Sequence, residues 1–237
     1  GCYLAALCKK RNIDYVVYEK SREIFSGASA YNQNRLHLGY HYPRNFTTRI
    51  DSKIGFDKFI SAFPDLSTEI ETNVYSVHNN SLIDFQTYIN IYKYEKYDFE
   101  VLKGNLSDNF QGSIAVNERY IDPVKSKSYF TDLNLNIKFN ANIYRRNGDY
   151  YHNNLKLSSQ ILINATYGSI ETEESSTGFY RQKFLSFIVK RKTESIPFDA
   201  LTVMDGPFYS IYPYDVKRNL YTLTHVQFGV ISHSLDK

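Results

Sequence analysis

The sequence predicts an α/β fold, α+β overall, in which a helix and a strand of a parallel sheet precede a sheet of antiparallel strands. Apolar and small residues at helical spacing in Gly1–Lys10 are followed closely by the β-rich run Tyr15–Tyr18. Much later, short alternating runs between Lys183 and His225, separated by turn residues, are typical of an antiparallel meander. The 237 residues suffice for one large domain or two modest ones.

Composition and charge argue against several classes of protein. The net charge of +3, without a basic run longer than three residues, does not favour a nucleic-acid partner. We predict no integral membrane segment, because no apolar run reaches about 18 residues. Without a visible signal peptide we expect a cytoplasmic protein. Cys2 and Cys8 provide neither a Cys-x-x-Cys pair nor a disulfide framework.

The first helix and strand are typical of the second half of a βαβ dinucleotide-binding unit. In such units glycines open the helix, and an acid about 20 residues further on binds the ribose hydroxyls. Gly1 stands where the third glycine is expected, and Glu19 ends the strand. A solvated strand end is the alternative interpretation of Glu19. The first strand would precede Gly1, and the chain ends without a closing element, so we expect a fragment that lacks both ends.

A stretch rich in hydrogen-bonding side chains, Gly27–Pro43, follows this unit. Small residues come first and allow a backbone to approach a ligand, and amides, Arg35, two histidines and three tyrosines come next. This composition indicates a ligand-binding loop rather than a core segment. His37 and His41 are spaced like a helical metal pair, but Gly39 between them does not favour a helix, so we predict no metal site.

Periodicity and turn residues predict the later elements. A helix is predicted over Thr47–Leu66, with its apolar stripe in the core. Asn147-Gly148 predicts a hairpin. The further predicted helices are Leu82–Tyr97 and one that begins at Asp122-Pro123. The further predicted strands are Asn73–His78, Ser113–Val116, Ile137–Phe139, Asn142–Arg145, Leu155–Leu157, Ile161–Asn164, Lys183–Arg191, Leu201–Met204, Phe208–Tyr212 and Leu220–His225.

Two further interpretations depend on these elements. The stripe assigned to the core of the long helix consists of Phe56, Phe59, Ile60 and Phe63. The apolar run Ile161–Asn164 fits a strand covered on both faces of a parallel sheet. Four side chains of the late strands could face a substrate, but ordinary turn and strand positions are the favoured interpretation of each; these are Asp205, Tyr209, Tyr212 and His225.

Three segments in this order resemble the FAD-dependent oxidoreductases of the D-amino-acid-oxidase type. They are the helix and strand ending in Val17-Tyr18-Glu19, the loop with its Ser-x-x-Asn and His-x-Gly-x-x-Tyr patterns, and the apolar run ending in Asn164-Ala165-Thr166. The loop is most similar to that of the branches that oxidise 2-hydroxyglutarate and glycerol 3-phosphate. The resemblance covers about residues 1–229.

The resemblance implies a Rossmann-like FAD-binding domain, formed by 1–70 and 113–170, and an antiparallel-sheet substrate domain, formed by 71–112 and 171–237. It implies FAD as the cofactor. The implied cofactor-binding residues are Gly1, Glu19, Lys20, Ser29, Ala30, Asn32, Asn34, Arg35, Leu36, Ile143, Ala165, Thr166 and Gly168. The candidate catalytic residues are Arg35, His37 and His41.

The chemistry implied by the resemblance is hydride removal from the CH–NH or CH–OH carbon of a small amino or 2-hydroxy acid. The cofactor supplies the redox step, and the protein positions this small-molecule substrate. Arg35 suits a substrate carboxylate, and His37 or His41 suits a base or a hydrogen-bond donor. Two alternatives stay open: a non-redox FAD-binding protein similar to the sugar mutases, and an inactive truncated flavoprotein fragment. No oligomeric state is predicted.

Overall fold

A computed structural model describes residues 1–168, 170, 179–192 and 196–236. The helices are α1 (Cys2–Lys10), α2 (Phe46–Ala62), α3 (Phe85–Tyr94) and α4 (Pro123–Asp132), with a 3₁₀ turn at Val216–Arg218. The first strands are β1 (Val17–Tyr18), β2 (Arg35–Leu36), β3 (Ser67–Glu69), β4 (Asn73–His78), β5 (Glu100–Val101), β6 (Phe110–Val116), β7 (Arg119–Ile121) and β8 (Ile137–Lys138). The later strands are β9 (Ile143–Arg146), β10 (Asp149–His152), β11 (Leu155–Lys156), β12 (Phe179–Phe184), β13 (Phe187–Lys190), β14 (Ala200–Met204), β15 (Tyr209–Asp215), β16 (Leu220–His225) and β17 (Val230–Asp236).

The chain divides into two compact units. The first unit comprises Gly1–Ala30, Val124–Lys183 and Ser232–Lys237, and the second comprises Tyr31–Pro123 and Phe184–Ile231. The assignment of 1–70 and 113–170 to cofactor binding, and of 71–112 and 171–237 to substrate binding, is a functional one and stays a prediction.

In the first unit, β1 and β8 form a parallel pair, with Val17 opposite Ile137. Two backbone hydrogen bonds of 2.9 Å extend this pair: the Glu19 N–H donates to the Lys138 carbonyl, and the Ala141 N–H donates to the Glu19 carbonyl. Helix α1 precedes β1, as expected, although β1 is shorter than the predicted strand. The prediction of a helix followed by a strand of a parallel pair is therefore confirmed.

The predicted hairpin is present at Asn147-Gly148, where β9 turns into the antiparallel β10. Both turn residues have positive φ, 51° at Asn147 and 82° at Gly148. A type I′ turn needs positive φ at both central residues, which asparagine and glycine tolerate better than most others. The dipeptide alone was therefore sufficient to predict this turn.

The prediction of a buried strand at Ile161–Asn164 is wrong. This segment has no strand pairing, and the side chains of Ile161 and Ile163 are 76% and 61% exposed. An apolar run shows that a segment could be covered on both faces, but a strand also needs a neighbouring edge with which its backbone can pair. That edge is a property of the tertiary structure.

The second unit is built on a seven-stranded sheet with the order β13-β16-β15-β14-β4-β6-β5. Strands β4 and β14 are parallel, with Tyr75 opposite Thr202, and the other neighbours are antiparallel. The expectation of a purely antiparallel sheet is therefore corrected to a mixed one. The local pattern of each strand was right, but strand patterns carry no information on the direction of a neighbour that is distant in sequence.

Tyrosines form much of the core of the second unit. Tyr40, Tyr75, Tyr88 and Tyr92 are fully buried, and Tyr97 packs with them. The Tyr88 and Tyr92 hydroxyls both donate to the Tyr40 carbonyl, at 3.0 and 2.9 Å. Burying a tyrosine is favourable when its hydroxyl has a partner, so these bonds connect the end of the predicted ligand-binding loop to α3.

The apolar stripe of α2 is less buried than predicted. Its four members, Phe56, Phe59, Ile60 and Phe63, are only half-buried. The buried side chain of this helix is that of Arg49, which pairs with Glu95. Helical spacing identifies side chains that share a face, but it does not show how completely that face is covered.

Candidate functional site

The predicted ligand-binding loop reaches the second unit as a short strand, β2, which pairs with β7. Asn34 precedes this strand with a φ of 53°, and its carbonyl accepts the Ile121 N–H at 2.7 Å. Its own N–H donates to the Asn32 side-chain oxygen at 2.5 Å. The Asn34 side chain is buried, and its Nδ2 has no hydrogen-bond partner in the described structure. Leu36, the second residue of β2, is also buried.

Arg35 lies against the large sheet of the second unit. Its Nη1 donates to Thr202 Oγ1 at 2.8 Å, and its guanidinium carbon lies 4.4 Å from the centroid of the Tyr212 ring. Its Nε and Nη2 are buried and have no hydrogen-bond partner among the described residues. An unsatisfied buried donor is unfavourable. Arg35 therefore has two donors available for a group that the described residues do not supply.

Glu118 lies beside the same loop and was not identified from the sequence. Its Oε1 accepts the Leu38 N–H at 2.7 Å, and its Oε2 accepts the Tyr75 hydroxyl at 2.8 Å and Asn73 Nδ2 at 3.1 Å. Burial raises the pKa of Glu118, against the opposing effect of these hydrogen bonds and of the positive charge of Arg35. No local pattern marks this residue, because a glutamate between two strands is usually a solvated turn position.

His37 and His41 lie in the same loop and are neutral at physiological pH. Burial, and next to it the positive charge of Arg35, lower the pKa of His37 to about 4 and that of His41 to about 3. The Nδ1 atom of each ring is buried without a hydrogen-bond partner among the described residues. The predicted site residues 34–41 of the second unit thus come together around several unsatisfied polar atoms.

The predicted ribose ligand, Glu19, lies in the first unit at the end of β1. Its Oε1 accepts the Ser21 N–H at 2.8 Å. The Asn140 N–H donates to the Ser21 carbonyl at 3.0 Å, so the segment that leads to Ile143 runs beside Glu19. Ile143 itself is half-buried at the start of β9. Lys20, which follows Glu19, is exposed. The structure therefore brings together two segments that carry predicted cofactor-binding residues, Glu19 in one and Ile143 in the other.

The other predicted cofactor residues of the first unit lie in turns. Gly1 is the N-cap of α1, Ser29 is exposed, and the Ala30 N–H donates to the Gly27 carbonyl at 3.0 Å. Asn164 Oδ1 accepts the Thr166 N–H and hydroxyl, at 3.1 and 2.7 Å. Ala165 is exposed, and Gly168 has a φ of 76°.

Two negative observations concern the described part of the chain. Within it, no three His, Cys, Asp or Glu side chains are grouped closely enough to hold a metal ion. None of the helices found there has the length and apolar character needed to cross a membrane.

The fold is that of a mixed α/β protein with a large mixed sheet. It is shared with L-α-glycerophosphate oxidase from Mycoplasma pneumoniae, whose dithionite-reduced structure contains FAD. The TM-score is 0.62 at 12% sequence identity, over 100% of this chain and 69% of that chain. At this identity the similarity establishes the fold alone.

The amino-acid sequence of the chain is similar to those of fungal FAD-dependent monooxygenases. The chain is 29% identical over 234 residues to the FAD-dependent monooxygenase FPY4 of Fusarium mangiferae, which covers 95% of this chain and 61% of FPY4. It is also 36% identical over 76 residues to the FAD-dependent monooxygenase kojA of Aspergillus flavus, covering 32% of this chain and 18% of that protein. No protein-family model matches the chain. The chain thus spans about three fifths of the length of FPY4.

Proposed function

We propose that this chain belongs to an FAD-dependent oxidoreductase of the D-amino-acid-oxidase type. The observation that carries the proposal is the alignment of 234 residues with an FAD-dependent monooxygenase. The fold shared with an FAD-containing oxidase supports it independently of sequence, because the two proteins are only 12% identical.

Each unit, taken by itself, carries residues that fit one part of FAD. In the first unit, Glu19 uses one carboxylate oxygen on the Ser21 N–H, which leaves acceptor positions for ribose hydroxyls. In the second unit, buried polar atoms without partners belong to Asn34, Arg35 and His37. A flavin ring carries carbonyl oxygens and ring nitrogens that could satisfy such atoms. We therefore assign Glu19 to the ribose, and Asn34, Leu36 and His37 to the flavin, and we keep Nε and Nη2 of Arg35 for the substrate.

The proposed substrate is a small amino or 2-hydroxy acid. Bound FAD would supply the redox chemistry, by accepting the hydride from the CH–NH or CH–OH carbon. Arg35 would bind the substrate carboxylate through Nε and Nη2, since these adjacent donors match a carboxylate. Stacking on Tyr212 and the bond to Thr202 would hold the guanidinium in position.

His37 and His41 suit hydrogen bonding better than proton abstraction. A general base is most effective when its pKa lies near the working pH, and burial lowers the pKa of His37 to about 4 and that of His41 to about 3. Neutral imidazoles keep one donor and one acceptor each. We therefore assign the two histidines to orienting the substrate or the cofactor.

A second candidate activity is oxygen insertion. The fungal proteins FPY4 and kojA are both named FAD-dependent monooxygenases. Incubation with ¹⁸O₂ and mass spectrometry of the product separates the two activities. Incorporated label would favour a monooxygenase, and product without label would favour hydride removal.

The cofactor assignment is tested by reconstituting the purified chain with FAD and recording its visible spectrum after gel filtration. We expect flavin absorbance bands to remain with the protein, and bleaching when a 2-hydroxy acid is added without oxygen. Glu19→Ala should weaken FAD binding about tenfold or more, equivalent to 1.4 kcal/mol. Glu23→Ala is the matched control, because Glu23 is a carboxylate of the same unit that pairs with Lys127. A parent protein without flavin bands would contradict the proposal.

A further inference from the structure

Glu118 connects the ligand-binding loop to the large sheet. Its side chain is only 1% exposed, and it accepts hydrogen bonds from the Leu38 backbone and from the side chains of Tyr75 and Asn73. Leu38 belongs to the loop, whereas Asn73 and Tyr75 belong to β4. One buried carboxylate therefore determines the distance between the segment after Arg35 and the sheet beneath it.

Glu118 and Arg35 are also related through the register of the sheet. Tyr75, which donates to Glu118, lies directly opposite Thr202, which accepts from Arg35. Residues opposite each other on adjacent strands point to the same face of a sheet. The buried carboxylate and the buried guanidinium are thus anchored on neighbouring side chains of one face, where opposite charges interact strongly.

We propose that Glu118 is a positioning residue of the flavin site, which holds 35–38 in place and compensates the charge of Arg35. The inference rests on the proposed function, since it concerns the same site. Glu118 touches neither the proposed cofactor nor the substrate in this assignment. It acts through the Leu38 N–H and through its charge on Arg35.

Two variants separate position from charge. Glu118→Gln keeps an oxygen that can accept the Leu38 N–H but removes the negative charge. Glu118→Asp keeps the charge but shortens the side chain and withdraws it from Leu38. Glu69→Gln is the control. Glu69 is an exposed carboxylate on β3, and it pairs at 2.7 Å with Arg119, the residue that follows Glu118.

The first measurement is amide hydrogen exchange of the peptide 36–42, which does not require FAD. We expect Glu118→Asp to accelerate exchange about tenfold, and Glu118→Gln and Glu69→Gln to change it by less than about threefold. Unchanged exchange in Glu118→Asp would overturn the positioning role. Because this measurement needs no FAD, it still tests the positioning role of Glu118 if the parent chain does not bind FAD and the proposed function is rejected.

The second measurement is the midpoint potential of the bound flavin. We expect Glu118→Gln to shift the potential to more positive values, because the uncompensated charge of Arg35 favours the reduced, more negative cofactor. Glu118→Asp and Glu69→Gln should leave it close to that of the parent. A purely structural role of Glu118 predicts no shift in the folded Glu118→Gln protein, so an unchanged potential there would overturn the charge role.

Discussion

The guanidinium carbon of Arg35 lies 4.4 Å from the centroid of the Tyr212 ring, across 177 positions of sequence that no local pattern connects. A cation over an aromatic face contributes about 0.5–2 kcal/mol, depending on how far it is desolvated. The contact orients the guanidinium, whose Nε and Nη2 have no hydrogen-bond partner in the part of the chain that the structure describes. This geometry explains why Arg35 is the strongest candidate for substrate binding.

Arg35→Lys should weaken substrate binding while retaining the positive charge. Lysine has neither the two adjacent donors nor the planar group that stacks on Tyr212. We expect KM for a 2-hydroxy acid to rise about tenfold or more, which corresponds to at least about 1.4 kcal/mol. Arg218→Lys, at an exposed arginine of the same unit, is the control and should leave KM unchanged. A parental KM in Arg35→Lys would reject the carboxylate-binding role.

Stability should fall as the pH is lowered from about 6.5 toward 4. An unfolded histidine titrates near pH 6.5, whereas the pKa of His37 in the folded protein is about 4, so the unfolded state binds more protons between these values. His37→Gln should reduce the difference in unfolding free energy between pH 7 and pH 5 by roughly 1–2 kcal/mol. Urea denaturation at pH 7 and at pH 5 measures this difference in unfolding free energy for the parent protein and for the variant.

The control for this experiment is His233→Gln, which replaces an exposed histidine. It should retain the pH dependence of the parent protein. Carboxyl groups titrate in both variants alike, so the comparison isolates the contribution of His37. An equal pH dependence in the parent and in His37→Gln would show that His37 is not buried as described.

Gly39→Ala should destabilise the second unit by several kcal/mol, on the order of 2–4. Gly39 has a φ of 104°, and a Cβ there would lie 2.9 Å from the Arg49 Cα and carbonyl oxygen. Gly55→Ala is the matched control, because a Cβ at this position of α2 meets nothing within 4 Å. It should stabilise the helix by about 0.5–1 kcal/mol. Thermal unfolding tests both expectations, since the melting temperature should fall in Gly39→Ala and rise in Gly55→Ala.

Glu95→Ala should destabilise the protein by about 3–5 kcal/mol, because it leaves a buried cation without its counter-charge. The side chains of Arg49 and Glu95 are 6% and 11% exposed, and Arg49 Nε donates to Glu95 at 2.9 Å. The Lys127–Glu23 pair is 40% and 51% exposed, so Glu23→Ala should cost less than about 1 kcal/mol. Equal losses of unfolding free energy in the two variants would contradict this difference.

Much of the local structure could be predicted from the sequence. Strand Asn73–His78 and strand Leu220–His225 have the predicted bounds, and the Asn147-Gly148 turn is where its dipeptide indicates. These features depend on residues close together in the chain. The prediction of a strand at Ile161–Asn164 is wrong for the opposite reason. A strand forms only where its backbone can make hydrogen bonds with a neighbouring strand, and the local sequence does not show whether such a strand is present.

The candidate site was predicted only in part. The segment 34–41 could be identified because it concentrates amides, an arginine and histidines in a stretch that starts with small residues. Glu118 could not be identified, because its role depends on Leu38 and Tyr75, which lie far from it in sequence. The sequence favours an ordinary strand position for Tyr212, and the structure shows that its ring lies against the Arg35 guanidinium.

The sequence by itself determined the α/β class, most helices and strands, and the loop that carries the candidate ligand-binding groups, because spacing, turn chemistry and side-chain type are local properties. Only the tertiary structure decided that β4 and β14 run parallel, that Glu118 is buried beneath the loop, and that two donors of Arg35 find no partner among the described residues. These features arise from burial and pairing between distant segments. Burial also changes the chemistry of the groups themselves, since it lowers the pKa of His37 and raises that of Glu118.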